Sequence, residues 1–113
     1  MESRAEHKSA RISPRKVKIV CALIRDKDAA TAKAILANTS KEGARLLLKV
    51  LDSACANAEN NFEMDPAKLY VTKTWVAPGP ILKRGRATAR GRYSRILKRT
   101  SHISVVVAEK EEA

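Results

Sequence analysis

The stretch "LYVTKTWV", residues 69–76, decides the fold, because the hydrophobic pattern of the chain changes there from helical to alternating. Asp65 and Pro66, a pair typical of a turn, come just before it. The alternation predicts a strand with two faces, which carry Leu69, Val71, Lys73 and Trp75 on one side and Tyr70, Thr72, Thr74 and Val76 on the other. The stretch "HISVVVA", residues 102–108, is rich in β-branched residues and predicts a second strand. The residues before Ser13 are expected to add a third, weak strand.

The first half of the chain is predicted to form three helices. The stretch "SPRKVKIVCALIRDK" begins the first, with Ser13 as N-cap and Pro14 at the first helical position. Asp28 is expected to cap a second helix, "AATAKAIL", and Ser40 a third, which should end near Asn60 and Asn61. Apolar residues recur at helical spacing in each: Val17, Val20, Cys21 and Ile24, then Ile35 and Leu36, then Ala44, Leu47, Leu48, Leu51, Ala54, Cys55 and Ala58.

Helices first and strands last predict an α+β fold. A chain of 113 residues is long enough for one domain with a modest core. We therefore expect three helices packed on a small antiparallel three-stranded sheet, with a long two-stranded β-hairpin extension. The globular part would comprise residues 1–78 and 100–113, and the extended basic hairpin residues 79–99. Each arm of the extension, about 15 residues, would reach roughly 50 Å if both strands continued unbroken.

The segment "PILKRGRATARGRYSRILKRTSH", residues 80–102, joins the two strong strands and holds eight Lys or Arg residues and no acid. The whole chain carries a net charge of +11, so this one segment accounts for most of the imbalance. Such a localised basic strip indicates a protein that binds a polyanion, whereas a merely solubilising surface usually mixes both signs. An isolated two-stranded ribbon is marginal in water, so it needs an external scaffold. A prevalence of Arg favours phosphate contacts, and the pattern suits folded RNA.

A second basic cluster lies at the start of the first predicted helix, where Arg11, Arg15, Lys16 and Lys18 occur with no acid among them. By itself such a cluster is as typical of a solvated helix surface as of an RNA contact. Together with the basic hairpin, it favours RNA contact.

No pattern in the sequence predicts catalysis, a metal site or a cofactor. His7 and His102 have no Cys, Asp or Glu at metal-ligand spacing, and no phosphate-binding glycine loop occurs. Cys21 and Cys55 are too few for a disulfide framework and are expected to be reduced core residues. No apolar run of twenty residues predicts a membrane span, and the first residues lack the apolar core of a signal peptide. The cytosol, or an equivalent reducing compartment, is the simplest location.

Four motifs, in order along the chain, resemble the family of large-subunit ribosomal protein number twenty-two, the universal type in its bacterial or organellar form. They are "RISPRKV" at residues 11–17, "SACANAENN" at residues 53–61, "GPILKR" at residues 79–84 and "ARGRYSRILKRTSHISVVV" at residues 89–107. The resemblance covers about residues 4–109. The sequence departs from the family pattern at Ala77 and Pro78, where an acidic pair is common, and at Ala87 and Thr88, where Pro and Arg are common.

The resemblance implies a structural protein that binds large-subunit ribosomal RNA and supports early subunit assembly. Its partners would be that RNA, neighbouring large-subunit ribosomal proteins and the nascent polypeptide in the exit tunnel, which the hairpin tip lines. No homo-oligomer is required, and the location would be the cytoplasmic ribosome or an organellar one. The predicted RNA-binding residues are Arg11, Ser13, Arg15, Lys16, Lys18, Lys83, Arg84, Arg86, Arg90, Arg92, Arg95, Lys98, Arg99, Thr100, Ser101 and His102. The predicted tunnel-lining tip comprises Lys83, Arg84, Gly85, Arg86, Ala87, Thr88, Ala89 and Arg90.

Two other functions are compatible with a basic hairpin. A DNA architectural protein also extends basic ribbons along a groove, but such arms usually carry an apolar wedge at the tip. A small RNA-cleaving enzyme would need an acid–base pair or a metal site, and the hairpin has no carboxylate. The sequence therefore favours the ribosomal interpretation over both.

Overall fold

The structure, a computed structural model, describes residues 2–87 and 93–109. Its elements, in chain order, are β1 (Glu2–Ala10), α1 (Pro14–Ile24), α2 (Ala29–Asn38), α3 (Glu42–Phe62), a short 3-10 helix (Pro66–Lys68), β2 (Leu69–Pro78), β3 (Leu82–Ala87), β4 (Tyr93–Lys98) and β5 (Ser101–Glu109). Three helices and a three-stranded antiparallel sheet confirm the predicted α+β class. None of the helices in these two ranges is long and apolar enough to cross a membrane.

Strand β5 lies at the centre of the sheet, between β1 and β2. Its residues 103–108 are all buried, because a strand pairs with it on either side and the helices cover one face. The weak strand expected before Ser13 is β1, which pairs antiparallel with β5. The predicted last strand is thus the element around which the other two strands are arranged.

The predicted faces of β2 are only half right. Leu69 and Val71 share one side as predicted, and this side faces the core, but the pairing with β5 shifts between Val71 and Lys73. This bulge changes the alternation of the strand, so Thr74 is buried while Lys73 and Trp75 are exposed. The hydroxyl of Thr72, at the bulge, donates a hydrogen bond to the carbonyl of Val106 (3.0 Å). A period-two pattern does not reveal an extra residue in one strand. The sequence therefore grouped Lys73 and Trp75 with Leu69 and Val71, although they lie on the other side of the strand.

The helices confirm the predicted apolar stripes, with Leu48 and Ile35 half-buried at the margins. Helix α1 begins at the predicted Ser13 and Pro14, although the Ser13 hydroxyl makes no capping hydrogen bond. The N-cap of α3 is Lys41 and not Ser40, because the carbonyl of Lys41 accepts the first helical hydrogen bonds. Helix α3 ends at Phe62, one residue beyond the predicted terminators Asn60 and Asn61.

A left-handed residue after Phe62 terminates α3. Glu63 adopts φ 51° and ψ 34°. The N–H of the next residue, Met64, donates a hydrogen bond to the carbonyl of Ala58 (3.0 Å). Met64 itself is buried, so core packing holds this helix end in place. A left-handed turn at Glu63, together with the burial of Met64, therefore ends α3.

The core lies between the helices and the sheet. Val17, Ile24, Leu36, Leu47 and Leu51 pack there against the inward side chains of β2 and β5. Small residues allow close approach: the Ser3 hydroxyl of β1 donates to the carbonyl of Ala54 in α3 (3.1 Å). At the other end of α3, a Cβ added to Gly43 would lie 3.5 Å from the Cα of Val17 in α1. We call β1, the three helices, β2 and β5 the body.

Strands β3 and β4 form a separate two-stranded antiparallel sheet, which we call the ribbon. The structure does not have two unbroken arms, because β2 ends at Pro78 and β3 begins at Leu82, while β4 and β5 are separated by residues 99–100. The molecule measures 68 × 26 × 18 Å and its radius of gyration is 17.3 Å. A compact chain of this length would have a radius of about 13 Å. The ribbon therefore makes the protein elongated.

Candidate RNA-binding surfaces

The pairing register of the ribbon separates its positive charges. Every Lys or Arg of the two strands lies opposite an uncharged residue: Lys83 opposite Leu97, Arg84 opposite Ile96, Arg86 opposite Ser94, Arg95 opposite Gly85 and Lys98 opposite Leu82. Like charges directly across a strand pair would destabilise it. The ribbon can therefore carry a high density of cations while avoiding the least favourable repulsions between them.

The predicted tunnel-lining tip falls partly on the ribbon. Strand β3 contains Lys83, Arg84, Gly85, Arg86 and Ala87. Thr88, Ala89 and Arg90 lie outside the described residues, and so does Arg92 of the predicted RNA-binding set. Successive positions of a strand belong to opposite faces, so the positions of Lys83 and Arg84 belong to different faces of the ribbon.

Backbone and side-chain hydrogen bonds join the ribbon to the body at Gly79 and Thr100. The N–H of Gly79 donates to the carbonyl of Thr100 (2.9 Å), and the Thr100 hydroxyl donates to the carbonyl of Pro80 (2.5 Å). A Cβ added to Gly79 would lie only 2.5 Å from that hydroxyl oxygen. Any side chain at position 79 would therefore force the Thr100 side chain or the backbone to shift. We call Gly79, Pro80 and Thr100 the ribbon base.

The predicted RNA-binding run from Lys98 to His102 divides into an exposed and an internal part. Lys98 and Arg99 are exposed. Ser101 is fully buried, and its hydroxyl donates to the carbonyl of Ile12 (2.6 Å). The Nδ1 atom of His102, which is half-buried, accepts a hydrogen bond from the N–H of Ser9 (2.9 Å). RNA contact by Thr100, Ser101 and His102 stays a prediction, while their observed hydrogen bonds are within the protein.

The second predicted surface lies at the start of α1. Arg11, Arg15, Lys16 and Lys18 are all exposed, and Ser13 is half-buried. A tight turn brings the chain from β1 to this point, with the N–H of Ile12 donating to the carbonyl of Ala10 (2.8 Å). Because the carbonyl of Ile12 also accepts from Ser101, this basic end of α1 lies next to the start of β5 and the ribbon base. The two predicted surfaces are therefore neighbours.

Three residues that the sequence analysis did not assign lie near the same cluster. Arg25 and Trp75 line a groove between α1 and β2 together with Arg15 and Lys18. The guanidinium of Arg4 lies over the Trp75 ring, 5.2 Å from the ring centroid. The bulge in β2 exposes Trp75, and the sequence pattern had placed this residue with Leu69 and Val71. Nothing in the local sequence indicated that β1, β2 and α1 would bring these residues together.

The two cysteines are buried core residues. Burial raises the pKa of the Cys21 thiol, although a hydrogen bond from Thr74 (3.5 Å) opposes this effect. Burial likewise raises the pKa of Cys55. Both thiols are therefore protonated near neutral pH. Across residues 2–87 and 93–109, no group of three or more His, Cys, Asp or Glu side chains is placed to hold a metal ion.

Comparison with known proteins adds an independent line of evidence. A family model described as ribosomal protein L22p/L17e matches residues 5–108. The large ribosomal subunit protein uL22 of Clostridium tetani is 52% identical over 111 residues, which are 98% of this chain and 100% of the relative. The proteins of the same name from Clostridium novyi (51% identical, covering 97% of this chain and 99% of the relative) and Oceanobacillus iheyensis (52% identical, covering 99% of each) are similarly close. The chain therefore belongs to the ribosomal protein L22p/L17e family.

Proposed function

We propose that this protein is a structural, non-enzymatic constituent of the large ribosomal subunit that binds large-subunit ribosomal RNA through the ribbon and the basic end of α1. Its place is the ribosome in the cytoplasm. The observation that carries the proposal is the ribbon itself: residues 80–102 hold eight cations and no acid, and their paired strands lie outside the body sheet. Family membership supports the same assignment.

Phosphate contact is the chemistry that the ribbon supports best. Arg provides most of its cations, and a guanidinium can donate two parallel hydrogen bonds to a phosphate. Because the positions of Lys83 and Arg84 belong to opposite faces of the ribbon, we expect RNA contact on both sides. Such recognition reads the backbone and shape of folded RNA and carries little base specificity.

The ribbon base gives this surface a defined position on the body. The hydrogen bonds of Gly79, Pro80 and Thr100 hold both strands where they leave the body. Ser101 extends the connection to Ile12, beside the basic end of α1. In our proposal, Thr100 and Ser101 act by orienting the ribbon, and the exposed Lys98 and Arg99 meet phosphate.

We further propose that the ribbon tip borders the polypeptide exit tunnel and that the protein supports early subunit assembly. Its neighbours would then be other large-subunit ribosomal proteins and, at the tip, the nascent polypeptide. This part of the proposal rests on the family resemblance. Gly85, Ala87 and Ala89 agree with it, because small side chains at the tip would leave a passage open.

The salt dependence of RNA binding tests the main proposal. We expect log K for a fragment of large-subunit ribosomal RNA to fall by several units per unit of log salt concentration, because bound phosphates release counterions. A variant with Arg95, Lys98 and Arg99 all replaced by Gln should lose about 2–3 units of that slope and on the order of 100-fold in affinity at 0.15 M salt.

A matched variant controls for net charge alone. Lys27, Lys49 and Lys73 are exposed on the body, and replacing all three by Gln removes the same charge. We expect this variant to lose much less affinity than the ribbon variant. Equal losses in the two variants, or a wild-type slope near zero, would show that the ribbon does not read an RNA backbone.

A tip deletion separates the assembly and tunnel parts of the proposal. We expect deletion of residues 88–90 of the predicted tip, beyond the paired strands, to leave assembled large subunits largely intact in sucrose gradients while changing macrolide sensitivity. The triple ribbon variant should instead deplete assembled subunits, because it removes phosphate contacts along the strands. If the tip deletion blocks assembly as severely as the triple variant, the tip is an anchor and the tunnel proposal is wrong.

A further inference from the structure

Helix α1 carries two large apolar side chains on its solvent side. Ile19 is 57% exposed and Leu23 is 43% exposed. Because they are four residues apart, they lie next to each other on one side of the helix, about 6 Å apart along its axis. Single exposed apolar side chains are ordinary on a protein surface, but neighbouring ones beside a groove indicate a contact surface.

A groove of about 300 Å³ continues this apolar surface toward the start of α3. The two helices pack closely here, since a Cβ added to Gly43 would lie 3.5 Å from Cγ2 of Val20 in α1. The residues that line the groove are Ile12, Lys16, Ile19, Lys41, Glu42 and Gly43. We call this groove, together with Ile19 and Leu23, the α1–α3 surface.

The charge around the α1–α3 surface is positive. Lys16 and Lys41 are exposed, and neither forms an ion pair within residues 2–87 and 93–109. Glu42 also lines the groove, but its carboxylate is already paired with Arg45, whose Nε donates a hydrogen bond to Oε2 (3.2 Å). A partner that covers the apolar side chains would therefore be complementary if it placed carboxylates near the two lysines.

We propose that the α1–α3 surface docks an amphipathic helix of a neighbouring large-subunit ribosomal protein. Aliphatic side chains of that helix would cover Ile19 and Leu23, and its Asp or Glu residues would lie near Lys16 and Lys41. A helix fits better than an extended peptide, because helices form this surface and offer no open strand edge for pairing. This inference rests on the proposed function and adds to it a surface for a protein partner.

RNA is the main competitor for the α1–α3 surface, because Lys16 belongs to the predicted RNA-binding set. Two observations favour a protein. No aromatic side chain lines the groove, so a base would have no ring on which to stack. A phosphate backbone also gains nothing from Ile19 and Leu23, whereas aliphatic side chains of a partner would remove them from water.

The size of the surface determines where the contact should be tested. A stable interface uses roughly 20–30 residues on each side, and the α1–α3 surface has far fewer. We therefore expect the helix to stay docked within the assembled subunit, where further contacts keep the partner nearby and raise its effective concentration.

Alkylation of a cysteine on the α1–α3 surface is a direct test. Native Cys21 and Cys55 are buried, so Leu23→Cys adds one accessible thiol, and the wild type gives the background. Its rate with N-ethylmaleimide is measured in the free protein, in a complex with a fragment of large-subunit ribosomal RNA, and in purified large subunits. We expect the first two rates to agree within about twofold and the third to be lower by about tenfold or more, since a covered thiol is inaccessible. Ile19→Cys should give the same pattern.

A photoreactive group identifies what covers the surface. Benzophenone maleimide is attached to the Leu23→Cys thiol, the purified subunits are irradiated, and the adduct is sequenced. We expect a protein segment with apolar residues three and four positions apart, flanked by Asp or Glu.

A matched pair of charge reversals tests the role of the lysines. In the Leu23→Cys background, Lys41→Glu should lower the yield of the adduct several-fold, because it repels the expected carboxylates. The Lys41 side chain makes no capping hydrogen bond, so this change should spare α3, and circular dichroism checks the fold. Lys73→Glu, the same reversal at an exposed residue of β2, should leave the yield unchanged.

The outcomes distinguish this inference from the proposed function. Protection by the RNA fragment alone, or an adduct with RNA in subunits, would show that RNA covers the surface. Equal rates in free protein and in subunits would show that nothing covers it. A protein adduct without carboxylates, or one that Lys41→Glu leaves unchanged, would also overturn the docking of an acidic helix. In all of these cases RNA binding by the ribbon stands, whereas absence of the wild-type protein from large subunits would overturn the proposed function itself.

Discussion

The body and the ribbon have the same β-strand geometry but different sources of order. In the body, β5 is paired on both sides and its side chains are packed against helices, so burial of apolar surface stabilises it. The strands of the ribbon pair only with each other, and the segment that forms them is dominated by cations. A two-stranded ribbon is marginal in water. The comparison teaches that stability resides in the body. In our proposal most phosphate contacts belong to the ribbon, so changes in the core should affect RNA binding little.

The largest expected effect is on the core of the body. Leu51→Ala removes a fully buried side chain and should lower the free energy of unfolding by about 2–5 kcal/mol, because it leaves a cavity between α3 and the sheet. Urea denaturation monitored by Trp75 fluorescence measures this loss. Leu48→Ala, at a half-buried position of the same helix, should cost less.

The same variant tests whether the two regions are independent. Under conditions where Leu51→Ala remains folded, we expect the salt dependence of its RNA binding to match that of the wild type. A variant that is folded but has lost the salt dependence of its RNA binding would show that core packing controls the ribbon. The two regions would then not be independent.

The ribbon base should show an intermediate effect, since it belongs to both regions. Gly79→Ala places a methyl group against the Thr100 hydroxyl and should cost about 1–3 kcal/mol in unfolding free energy. It should also weaken RNA binding, because the strands must shift where they leave the body. Thr100→Ala removes the opposing hydroxyl together with its hydrogen bond to Pro80.

A double-mutant cycle isolates the clash at the ribbon base. Adding Gly79→Ala to a Thr100→Ala background should cost less than adding it to the wild type, because the atom that it meets is gone. Simple additivity of the two losses would mean that the ribbon base tolerates a side chain at position 79, and that its geometry does not orient the ribbon.

The smallest expected effect is the pH dependence due to Cys21. Burial raises the pKa of this thiol in the folded state above its unfolded value. Its contribution to stability is therefore complete below the unfolded pKa and is lost as the pH rises through the folded pKa. Between pH 7 and pH 10, wild-type protein should lose slightly more free energy of unfolding than Cys21→Ala. The RNA affinities of the two proteins should change with pH in the same way. Identical pH profiles of the free energy of unfolding in the two proteins would contradict the expected difference.

Helix periodicity and the basic segment made much of this structure predictable. The stripe from Val17 to Ile24 and the Pro14 start of α1 depend on residues within a few turns of one another, so local patterns reveal them. The end of α3 was not predictable in the same way. Asn60 and Asn61 are good terminators, but buried Met64 and the left-handed Glu63 determine the end, and both depend on the body around them.

The sequence by itself determined the fold class, the core stripes and the basic segment, because hydrophobic period and charge are properties of neighbouring residues. Tertiary structure alone decided which face of β2 Trp75 occupies, since a one-residue bulge appears only once β2 is aligned with β5. It also decided that Ser101 is an internal donor to Ile12, a residue 89 positions away. The groove of Arg15, Arg25 and Trp75 has the same origin, because its members come from separate elements that only packing brings together.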